Sequence, residues 1–394
     1  MKKRKKILYV HHAAGLGGAP ISLKEIIDNL DADSFDVHVL LLKDSIVREI
    51  FQKEGISVSV AEGKFYKKYY RFFPHLEPEY FRWWNLRKII QHSILWLLSR
   101  LYFAERLLKK FEFDILHLNS SVLTDFLKAG HHRGRVIIHV REPVAKGYLG
   151  LRRAVIRREI RRYCDRVIAI SHDNSKRLGC ESKTTVIYNF TKIEDTPTDP
   201  PLKRLVLYLG GSNKIKGFLT LVAALDYLDP SICILFCGYY PDLEMVKRRG
   251  FFATGIAWLT GQQAIEKAAL KLRSHKNAKL MGLRQDIPDL LEQCDVLVNP
   301  FTIEHFSRPI IEAYAKGRTV VASNVQGIDE IVENNITGII VKKSDPYKLA
   351  AALNRALNDP ILLMRLAREG HARATDKFSE KNVMKIQLIY DELN

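Results

Sequence analysis

Two glutamates, Glu304 and Glu312, occupy the segment whose residue types point most clearly to chemistry. An apolar run, 296–298, precedes them, and Pro309 suits the first turn of a helix. The pattern predicts Glu304 on a loop and Glu312 in the first helical turn. Such a helix start offers the backbone amides of residues 306–308 to an anion, and carboxylates accept hydrogen bonds from hydroxyl groups. The segment therefore fits a ligand that combines phosphate, a ribose and a second sugar.

A glycine-rich segment, residues 15–20, follows the first apolar run, 7–10. Glycines between a strand and a helix let backbone amides approach a phosphate. The dinucleotide fingerprint GxGxxG is incomplete, because Pro20 stands where its last glycine belongs. Two alternatives stay open: a phosphate or sugar approaches this loop, or the glycines only form a tight turn.

These segments belong to an alternation of strand-like apolar runs and helix-length stretches along the whole chain. The runs are 7–10, 37–42, 115–118, 136–140, 167–170, 205–209, 232–237, 296–298, 319–322 and 338–341. The alternation predicts βαβ units and parallel sheets. A Pro-rich polar stretch, 192–201, indicates a linker. The predicted parts are an N-terminal domain (1–190), a linker (191–203), a C-terminal domain (204–375) and a helix (376–394) that packs back on the first domain. Because ligands of parallel sheets bind beyond the carboxyl ends of the strands, we expect the site between the domains.

Composition limits the class of protein. The chain has 394 residues, 47% of them hydrophobic, which is enough for a packed core. Its five cysteines show no paired or metal-ligand spacing, so we expect a reduced, cytoplasmic setting without a metal site. The apolar run after the basic N-terminus is short, and 89–104 is interrupted by polar residues, so we expect neither export nor a membrane span.

The net charge of +18 is concentrated in two segments, 64–110 with 11 basic and 3 acidic residues and 141–166 with 9 and 3. Within 64–84 the basic residues alternate with ten aromatic ones, which predicts an anionic membrane surface as partner. The aromatic residues are Phe65, Tyr66, Tyr69, Tyr70, Phe72, Phe73, Tyr80, Phe81, Trp83 and Trp84. In 151–163 an apolar stripe beside arginines either faces a membrane or packs on the core. No nucleic-acid-binding motif is visible, and the prediction is that the chain binds none.

Further motifs carry a resemblance to a known family. The Glu-x7-Glu element, followed by EAYAKG, VVAS and TGIIV, resembles the donor half of retaining glycosyltransferases of the GT4 family (glycosyl transferases group 1). Similar matches, in the same order, are GGAP (17–20), VIAIS (167–171), VIYN (186–189) and LGGSNKIKG (209–217). The resemblance implies an α/β protein of the GT-B fold, with two Rossmann-like domains facing each other across a cleft. It also implies a nucleotide diphosphate sugar as donor, which the C-terminal domain (204–375) would bind, and an acceptor, which the N-terminal domain (1–190) would bind.

The resemblance assigns roles to individual residues. Glu312 would bind the ribose, Glu304 the donor sugar hydroxyls, and Lys216 the diphosphate, where charge develops as the glycosidic bond breaks. His139 would face the sugar from the N-terminal domain. The further binding residues are Gly17, Gly18, Asn189, Gly210, Lys214, Phe306, Ser307 and Arg308. Each position also fits a plain alternative: a hydrogen-bonded core histidine for His139, a turn residue for Asn189 and a solvated loop lysine for Lys216.

One position departs from the family pattern. The arginine that usually follows the glycine at 210 is replaced by Gly211, so half of the Arg/Lys pair on the diphosphate is missing. Lys214 and Arg308 are near enough in sequence to supply the charge. Otherwise the loss implies a weak or inactive enzyme.

The predicted function is sugar transfer by a metal-independent, retaining hexosyltransferase without a cofactor. With the basic aromatic segments, it indicates a lipid-linked glycan acceptor, cell-surface polysaccharide biosynthesis, and a cytoplasmic protein peripheral to the inner membrane face. One alternative is a non-catalytic homologue that binds a glycan or serves as a partner subunit. The others are an enzyme with a soluble acceptor and, last, a nucleic-acid-binding protein.

Overall fold

The structure is a computed structural model that describes residues 4–12, 15, 17–69, 85–242 and 261–393. The chain divides into two compact units of similar size. The N-unit comprises the residues up to Phe190 together with those from Glu380 onward, and the C-unit is Thr191–Ser379.

The N-unit contains a seven-stranded parallel sheet in the order β3-β2-β1-β4-β5-β6-β7. Its strands are β1 (Lys5–His11), β2 (Phe35–Leu41), β3 (Ser57–Val60), β4 (Ile115–Leu118), β5 (Arg135–Val140), β6 (Arg166–Ala169) and β7 (Thr184–Val186). Its described α-helices are α1 (Gly18–Asp28), α2 (Ile46–Lys53), α3 (Lys64–Lys68), α4 (Leu86–Leu98), α5 (Ala104–Leu108), α6 (Leu127–His131), α7 (Leu151–Tyr163), α8 (His172–Leu178) and, at the end of the chain, α15 (Asn382–Glu392). A π-helical turn (Ser99–Phe103) joins α4 to α5, and 3₁₀ turns occur at Ser121–Phe126, Tyr148–Gly150 and Glu181–Lys183.

The C-unit contains a six-stranded parallel sheet in the order β10-β9-β8-β11-β12-β13. Its strands are β8 (Leu205–Tyr208), β9 (Cys233–Cys237), β10 (Ala278–Gly282), β11 (Val296–Asn299), β12 (Thr319–Asn324) and β13 (Ile339–Lys342). Its described α-helices are α9 (Phe218–Ala224), α10 (Gln262–Ser274), α11 (Ile287–Gln293), α12 (Arg308–Ala315), α13 (Pro346–Asn358) and α14 (Pro360–Lys377). Its 3₁₀ turns are Lys214–Lys216, Leu225–Tyr227 and Ile328–Glu330.

Both sheets confirm the predicted architecture of two Rossmann-like domains. In each, the first strand lies centrally and the strand order reverses beside it, between β1 and β4 in one sheet and between β8 and β11 in the other. Helices cover both faces, which is why the central strands are continuous apolar runs rather than alternating ones. The loops that follow these four strands are where a parallel sheet places its ligand.

The C-terminal helix differs from the prediction. α14 ends at Lys377 and α15 begins at Asn382, so the helix predicted from residue 376 is wrong in its start. The helix is interrupted because Ser379 pairs as a parallel bridge with Thr191. Beyond this interruption, Val383 and Ile386 of α15 lie in the N-unit core.

The basic aromatic segment 64–84 also differs from the prediction where it is described. Tyr66 and Tyr69 are buried in the N-unit core, and Phe65 packs against the same cluster. These rings therefore form no exposed membrane surface. The other aromatic residues of the segment, Tyr70, Phe72, Phe73, Tyr80, Phe81, Trp83 and Trp84, lie outside the described residues.

The apolar stripe on α7 packs on the core only in part. Ile156, Ile160 and Tyr163 pack in the core, whereas Leu151 and Val155 are exposed. Among the described helices, none is both long and apolar enough to cross a membrane.

Candidate functional site

In the C-unit, the loops that follow β8 and β11 are joined to each other. The backbone N–H of Thr302 donates to the carbonyl of Ile215 at 2.9 Å. Gly217 has a left-handed backbone (φ +78°), and a Cβ there would overlap the carbonyl oxygen of Pro300. Glycine is therefore required at this approach. The contact brings the Lys216 loop and the Glu304 loop together in one unit.

Lys216 is held at the end of the 3₁₀ turn, which Asn213 caps by accepting from the N–H of Ile215 at 3.0 Å. Its Nζ donates to the carbonyl of Leu209 at 3.4 Å, and burial lowers the pKa of the ammonium group. Within the described residues no carboxylate lies at ion-pair distance from Nζ. Lys216 is thus a partly desolvated cation rather than a solvated loop lysine, and such a group favours an anionic ligand.

Glu312 lies in the second turn of α12, because the helix already begins at Arg308. The predicted position in the first turn is therefore wrong. Its Oε1 accepts from Nε of Arg308 at 2.7 Å, and the arginine side chain is nearly buried while that of Glu312 is 23% exposed. Arg308 thereby fixes one carboxylate oxygen and leaves Oε2 for a ligand. Glu304 lies, as predicted, on the loop before the helix and is partly exposed.

Two side-chain contacts hold the start of α12 in place. Ser307, the N-cap residue, is fully buried and its Oγ donates to Oδ1 of Asn299 at the end of β11, at 3.0 Å. The ring of Phe306 packs edge-on against Phe378 with centroids 6.2 Å apart. These contacts fix the backbone of the segment whose amides are predicted to meet an anion.

His305, which no sequence motif marks, follows Glu304 on the loop before α12, and the charge of Lys216 acts on its ring. Its ring stacks on Phe301 with centroids 4.7 Å apart. Burial, with a contribution from the Lys216 charge, lowers its pKa to about 4. His305 is therefore neutral near pH 7 and does not compete with Lys216 for an anion.

The two glycines after β8 leave no space for side chains. A Cβ at Gly210 would overlap the ring of Tyr208. Gly211 has φ +54°, and a Cβ there would lie 2.8 Å from the backbone nitrogen and oxygen of Tyr239. In this conformation an arginine at 211 does not fit without a shift of the backbone, so the departure from the family pattern is built into the loop.

The two residues suggested as substitutes for that arginine have other neighbours. The Nζ of Lys214 lies beside Gly261, the N-cap residue of α10. The guanidinium group of Arg308 faces Glu312. Arg308 is thus paired with a carboxylate, whereas within the described residues Lys216 has none at ion-pair distance.

In the N-unit, two of the predicted residues, His139 and Asn189, contact a buried arginine, Arg141. Its Nη1 donates to Oδ1 of Asn189 at 2.9 Å, its Nη2 lies 3.3 Å from Nδ1 of His139, and its Nε donates to Oδ1 of Asn119 at 2.6 Å. Asn119 in turn donates to the carbonyl of Ala19 in the first turn of α1, at 3.4 Å. Arg141 thus connects the ends of β4 and β5 with the glycine loop.

The glycine loop is described only in part, since residues 13, 14 and 16 lie outside the described residues. Gly17 is the N-cap of α1 with φ −105°, and Gly18 is the first helical residue. A Cβ at Gly17 would meet no atom of the described residues within 4 Å. Neither the backbone conformation nor a described neighbour demands glycine at 17, but the N–H of Gly17 donates to the carbonyl of Gly15 at 2.9 Å, so both alternatives for this loop stay open.

Arg141 and Asn119 could have been found in the sequence, because both stand directly after predicted strands, where parallel sheets place ligand-binding groups. His305 carries no comparable signal beyond its position beside Glu304. The described residues contain no cluster of three or more His, Cys, Asp or Glu that could hold a metal ion.

Comparison with known families decides the class of the protein. Residues 190–373 match the family model described as Glycosyl transferases group 1, and residues 16–195 match that of Glycosyltransferase Family 4. The chain belongs to the GT4 family of glycosyltransferases. The order of the predicted motifs along the chain is consistent with both matches.

This glycosyltransferase is similar to enzymes of glycan assembly over part of its length. It is 31% identical over 125 residues to an N,N'-diacetylbacillosaminyl-diphospho-undecaprenol alpha-1,3-N-acetylgalactosaminyltransferase of Campylobacter jejuni, covering 32% of this chain and 30% of that protein. It is also 31% identical over 128 residues to the capsular polysaccharide biosynthesis glycosyltransferase CapM of Staphylococcus aureus, covering 32% of each chain. The matches span about a third of the length of these relatives.

The fold extends over the whole chain. The crystal structure of Anabaena HepE in complex with UDP and glucose aligns with a TM-score of 0.72 at 20% identity, covering 99% of this chain and 100% of that chain. This likeness confirms the GT-B fold of the glycosyltransferase.

Proposed function

We propose that this glycosyltransferase transfers a sugar from a nucleotide diphosphate sugar to a lipid-linked glycan, with retention of configuration and without a metal ion. The observation that carries the proposal is the joined pair of loops in the C-unit, where half-buried Lys216 lies beside the loop leading to α12. HepE, which shares the fold, is in complex with UDP and glucose. The printed name of the Campylobacter relative specifies a diphospho-undecaprenol acceptor, and CapM belongs to capsular polysaccharide biosynthesis.

The donor would bind to the C-unit by groups of complementary chemistry. Glu312, held by Arg308 through Oε1, offers Oε2 to the ribose hydroxyls. The ammonium group of Lys216 and the backbone amides of Phe306 and Ser307 would meet the diphosphate. Glu304, partly exposed on the same loop, would accept hydrogen bonds from the donor sugar.

The reaction requires stabilisation of the departing diphosphate. The bond between the anomeric carbon and the β-phosphate oxygen breaks, the acceptor oxygen bonds to the same face of the sugar, and the acceptor proton passes to the departing oxygen. Negative charge grows on the diphosphate during this step. Lys216 and the N-terminus of α12 are fixed before the reaction, which is the arrangement that lowers the barrier.

A lipid-linked acceptor requires access to a membrane, and the N-unit presents a surface suited to it. The α4 ridge consists of seven apolar side chains, each between 44% and 56% exposed: Leu86, Ile90, Ile94, Leu97, Leu98, Leu101 and Tyr102. Arg100 of the following turn binds Glu159 of α7 at 2.7 and 3.0 Å, which sets the ridge beside the arginine-rich helix. Apolar side chains next to exposed arginines suit the interface of an anionic bilayer. The protein would then work at the inner face of the cytoplasmic membrane.

A non-catalytic homologue is the second candidate, and Gly211 is the observation that favours it. The loop excludes an arginine there, so the diphosphate meets one cation fewer than in the family pattern. Loss of one preorganised contact of this kind reduces turnover by about 10²–10³. Such a protein would retain nucleotide binding but release no product.

Nucleotide release by the purified protein separates the two candidates. UDP-, GDP- and other nucleotide sugars are incubated with membrane extract as acceptor, and the nucleoside diphosphate is quantified. Release from one donor, abolished in Glu312→Ala and Lys216→Ala, supports the enzyme. Binding that depends on Glu312 without release from any donor supports the non-catalytic homologue.

A further inference from the structure

A cavity of about 590 Å³ lies at the amino edge of the N-unit sheet, opposite the carboxyl edge where parallel sheets place their ligands. Lys5 and Arg135 are the first residues of β1 and β5, and Asp114 and Asp165 directly precede β4 and β6. These four strands are neighbours and parallel, so their amino ends form one wall of the cavity. The turn 131–134 adds two histidines and an arginine to the lining. The volume is in the range of small-molecule sites, which is about 300–1,000 Å³.

Backbone contacts hold the turn between α6 and β5 in place. The N–H groups of Arg133 and Gly134 donate to the carbonyl of Gly130 at 2.9 and 3.0 Å. The N–H of Arg135 donates to the carbonyl of Asp114 at 3.0 Å. A Cβ at Gly134 would lie 2.7 Å from that carbonyl oxygen, so a larger residue does not fit without a shift. The basic side chains of the turn are therefore carried by a backbone that is fixed before a ligand binds.

Positive charge exceeds negative charge in the lining, and the carboxylates present are engaged. Oδ2 of Asp114 accepts from the backbone N–H of Lys6 at 2.8 Å, and Oδ2 of Asp165 accepts from that of Val136 at 2.7 Å. Oδ1 of Asp165 lies 3.5 Å from Nη1 of Arg135. The lining holds four Lys and Arg side chains against these two carboxylates, which gives a net charge of +2 when its two histidines are neutral.

Lys5 connects the cavity wall to the end of α15. Its Nζ donates to the carbonyls of Tyr390 and Leu393 at 2.7 and 3.3 Å. The last carbonyls of a helix carry partial negative charge, which the ammonium group offsets. An anion in the cavity would therefore be bound chiefly by the arginines.

Two of these arginines keep most of their donors for a ligand. Nη1 of Arg4 donates to the carbonyl of Ala32 at 3.3 Å, and Nη2 of Arg133 donates to that of Phe111 at 3.2 Å. The guanidinium group of Arg133 also lies over the ring of Phe113, 6.0 Å from its centroid. Among the described residues no carboxylate pairs with either arginine. Each guanidinium group has five N–H donors, and a phosphate accepts them in pairs.

We propose that this cavity is a second anion site, which binds a small molecule that carries a diphosphate or a longer phosphate chain. Arg4, Arg133 and Arg135 supply the charge-assisted hydrogen bonds, and the net charge of +2 matches an anion with two or more charges. Three separate guanidinium groups suit a chain of phosphates better than a single carboxylate. The site consists of N-unit residues alone, whereas the joined loops belong to the C-unit, so it does not rest on the proposed function.

Calorimetric titration of the full chain with pyrophosphate tests the site in a Lys216→Met background, which weakens binding at the joined loops. We expect this variant to bind pyrophosphate, and the added pair Arg133→Gln and Arg135→Gln to raise the Kd about 10-fold or more. The matched control pair is Arg158→Gln and Arg162→Gln, two exposed arginines of α7 in the same unit, and it should change the Kd by less than about 2-fold. Equal weakening by the two pairs, or loss of all pyrophosphate binding in Lys216→Met alone, overturns the proposal.

Histidine-selective NMR locates the ligand in the unchanged protein. The ring signals of His131 and His132 are assigned with His131→Gln and His132→Gln. We expect both rings to shift on addition of pyrophosphate, whereas His38, which is bonded to two serines on β3, stays unchanged. Pyrophosphate binding without a shift of either ring overturns the proposal whether or not the arginine variants fold.

Sulfate at equal ionic strength tests the class of ligand. We expect it to bind more weakly than pyrophosphate, because it offers one tetrahedral group to three arginines. Sulfate that binds as tightly overturns the assignment to a phosphate chain. Absence of nucleoside diphosphate release, with pyrophosphate bound at His131 and His132, contradicts the proposed function alone.

Discussion

Replacing Lys216 by methionine separates a functional cation from a structural one. Methionine keeps most of the volume of the side chain and removes its charge. If Lys216 stabilises the departing diphosphate, turnover decreases while the folded state remains as stable as before. If Lys216 instead holds the loop together, stability decreases.

The structure sets the expected magnitudes. Nζ makes one long hydrogen bond, 3.4 Å to Leu209, which contributes at most about 1 kcal/mol to stability. Burial lowers the pKa of the ammonium group, so its charge opposes folding and offsets that contribution. We therefore expect the free energy of unfolding of Lys216→Met to stay within about 1 kcal/mol of the original value. Loss of the preorganised charge should reduce kcat by about 10²–10³.

The assay combines urea unfolding, followed by circular dichroism, with nucleoside diphosphate release under saturating donor. Lys348→Met serves as the matched control, because Lys348 is an exposed lysine on α13. The control should change neither quantity. A decrease in stability of more than about 2 kcal/mol without a change in turnover would refute the functional assignment of Lys216.

Three further predictions follow from the site and the surface. Because burial lowers the pKa of Lys216, donor affinity measured by calorimetry should fall as pH rises through that lowered pKa. The free energy of unfolding should meanwhile rise with pH up to the ordinary lysine pKa. A donor affinity that stays constant up to the ordinary lysine pKa contradicts this prediction. Gly217→Ala should lower the free energy of unfolding by more than Gly282→Ala does. Both glycines have a left-handed backbone, which costs alanine about 1–2 kcal/mol, but only at 217 would the added Cβ overlap a carbonyl oxygen. Equal decreases in the free energy of unfolding, measured by urea titration, would disprove the close approach. Ile94→Glu should reduce the fraction of protein that floats with anionic vesicles about 10-fold or more. Ile361→Glu changes an isoleucine that is also exposed but lies outside the α4 ridge, and it should not reduce that fraction. Equal flotation of the two variants argues against the α4 ridge as a membrane-binding surface.

The sequence predicts the central strands of both sheets but not β3, β7 and β10. These three are edge strands. Ser57–Val60 and Thr184–Val186 contain polar residues and are short, because an edge strand is not covered on all sides and needs no continuous apolar run. Each of these strands forms because it pairs with a neighbouring strand from another part of the chain, and a local sequence pattern does not reveal that neighbour.

The candidate site likewise contains features that the sequence predicts and others that it does not. The loop positions of Lys216 and Glu304 and the presence of a helix after Glu304 could be predicted, because strand, loop and helix signals are local in sequence. The helical turn that carries Glu312 could not be predicted, since Pro309 fits either of the first two helical positions and the helix begins one residue before it. The hydrogen bond between Tyr9 and Tyr390 joins residues 381 positions apart, and only the folded chain reveals it.

Transfer of a labelled sugar tests the central claim most directly. The protein is incubated with a nucleotide sugar carrying ¹³C at the anomeric carbon, and with lipid-linked glycan from membrane extract, and the product is examined by NMR. We predict that the label appears in the lipid fraction with the anomeric configuration of the donor, and that Glu312→Ala abolishes transfer. Donor that binds in a Glu312-dependent manner but never transfers its label, or a product of inverted configuration, would contradict the account.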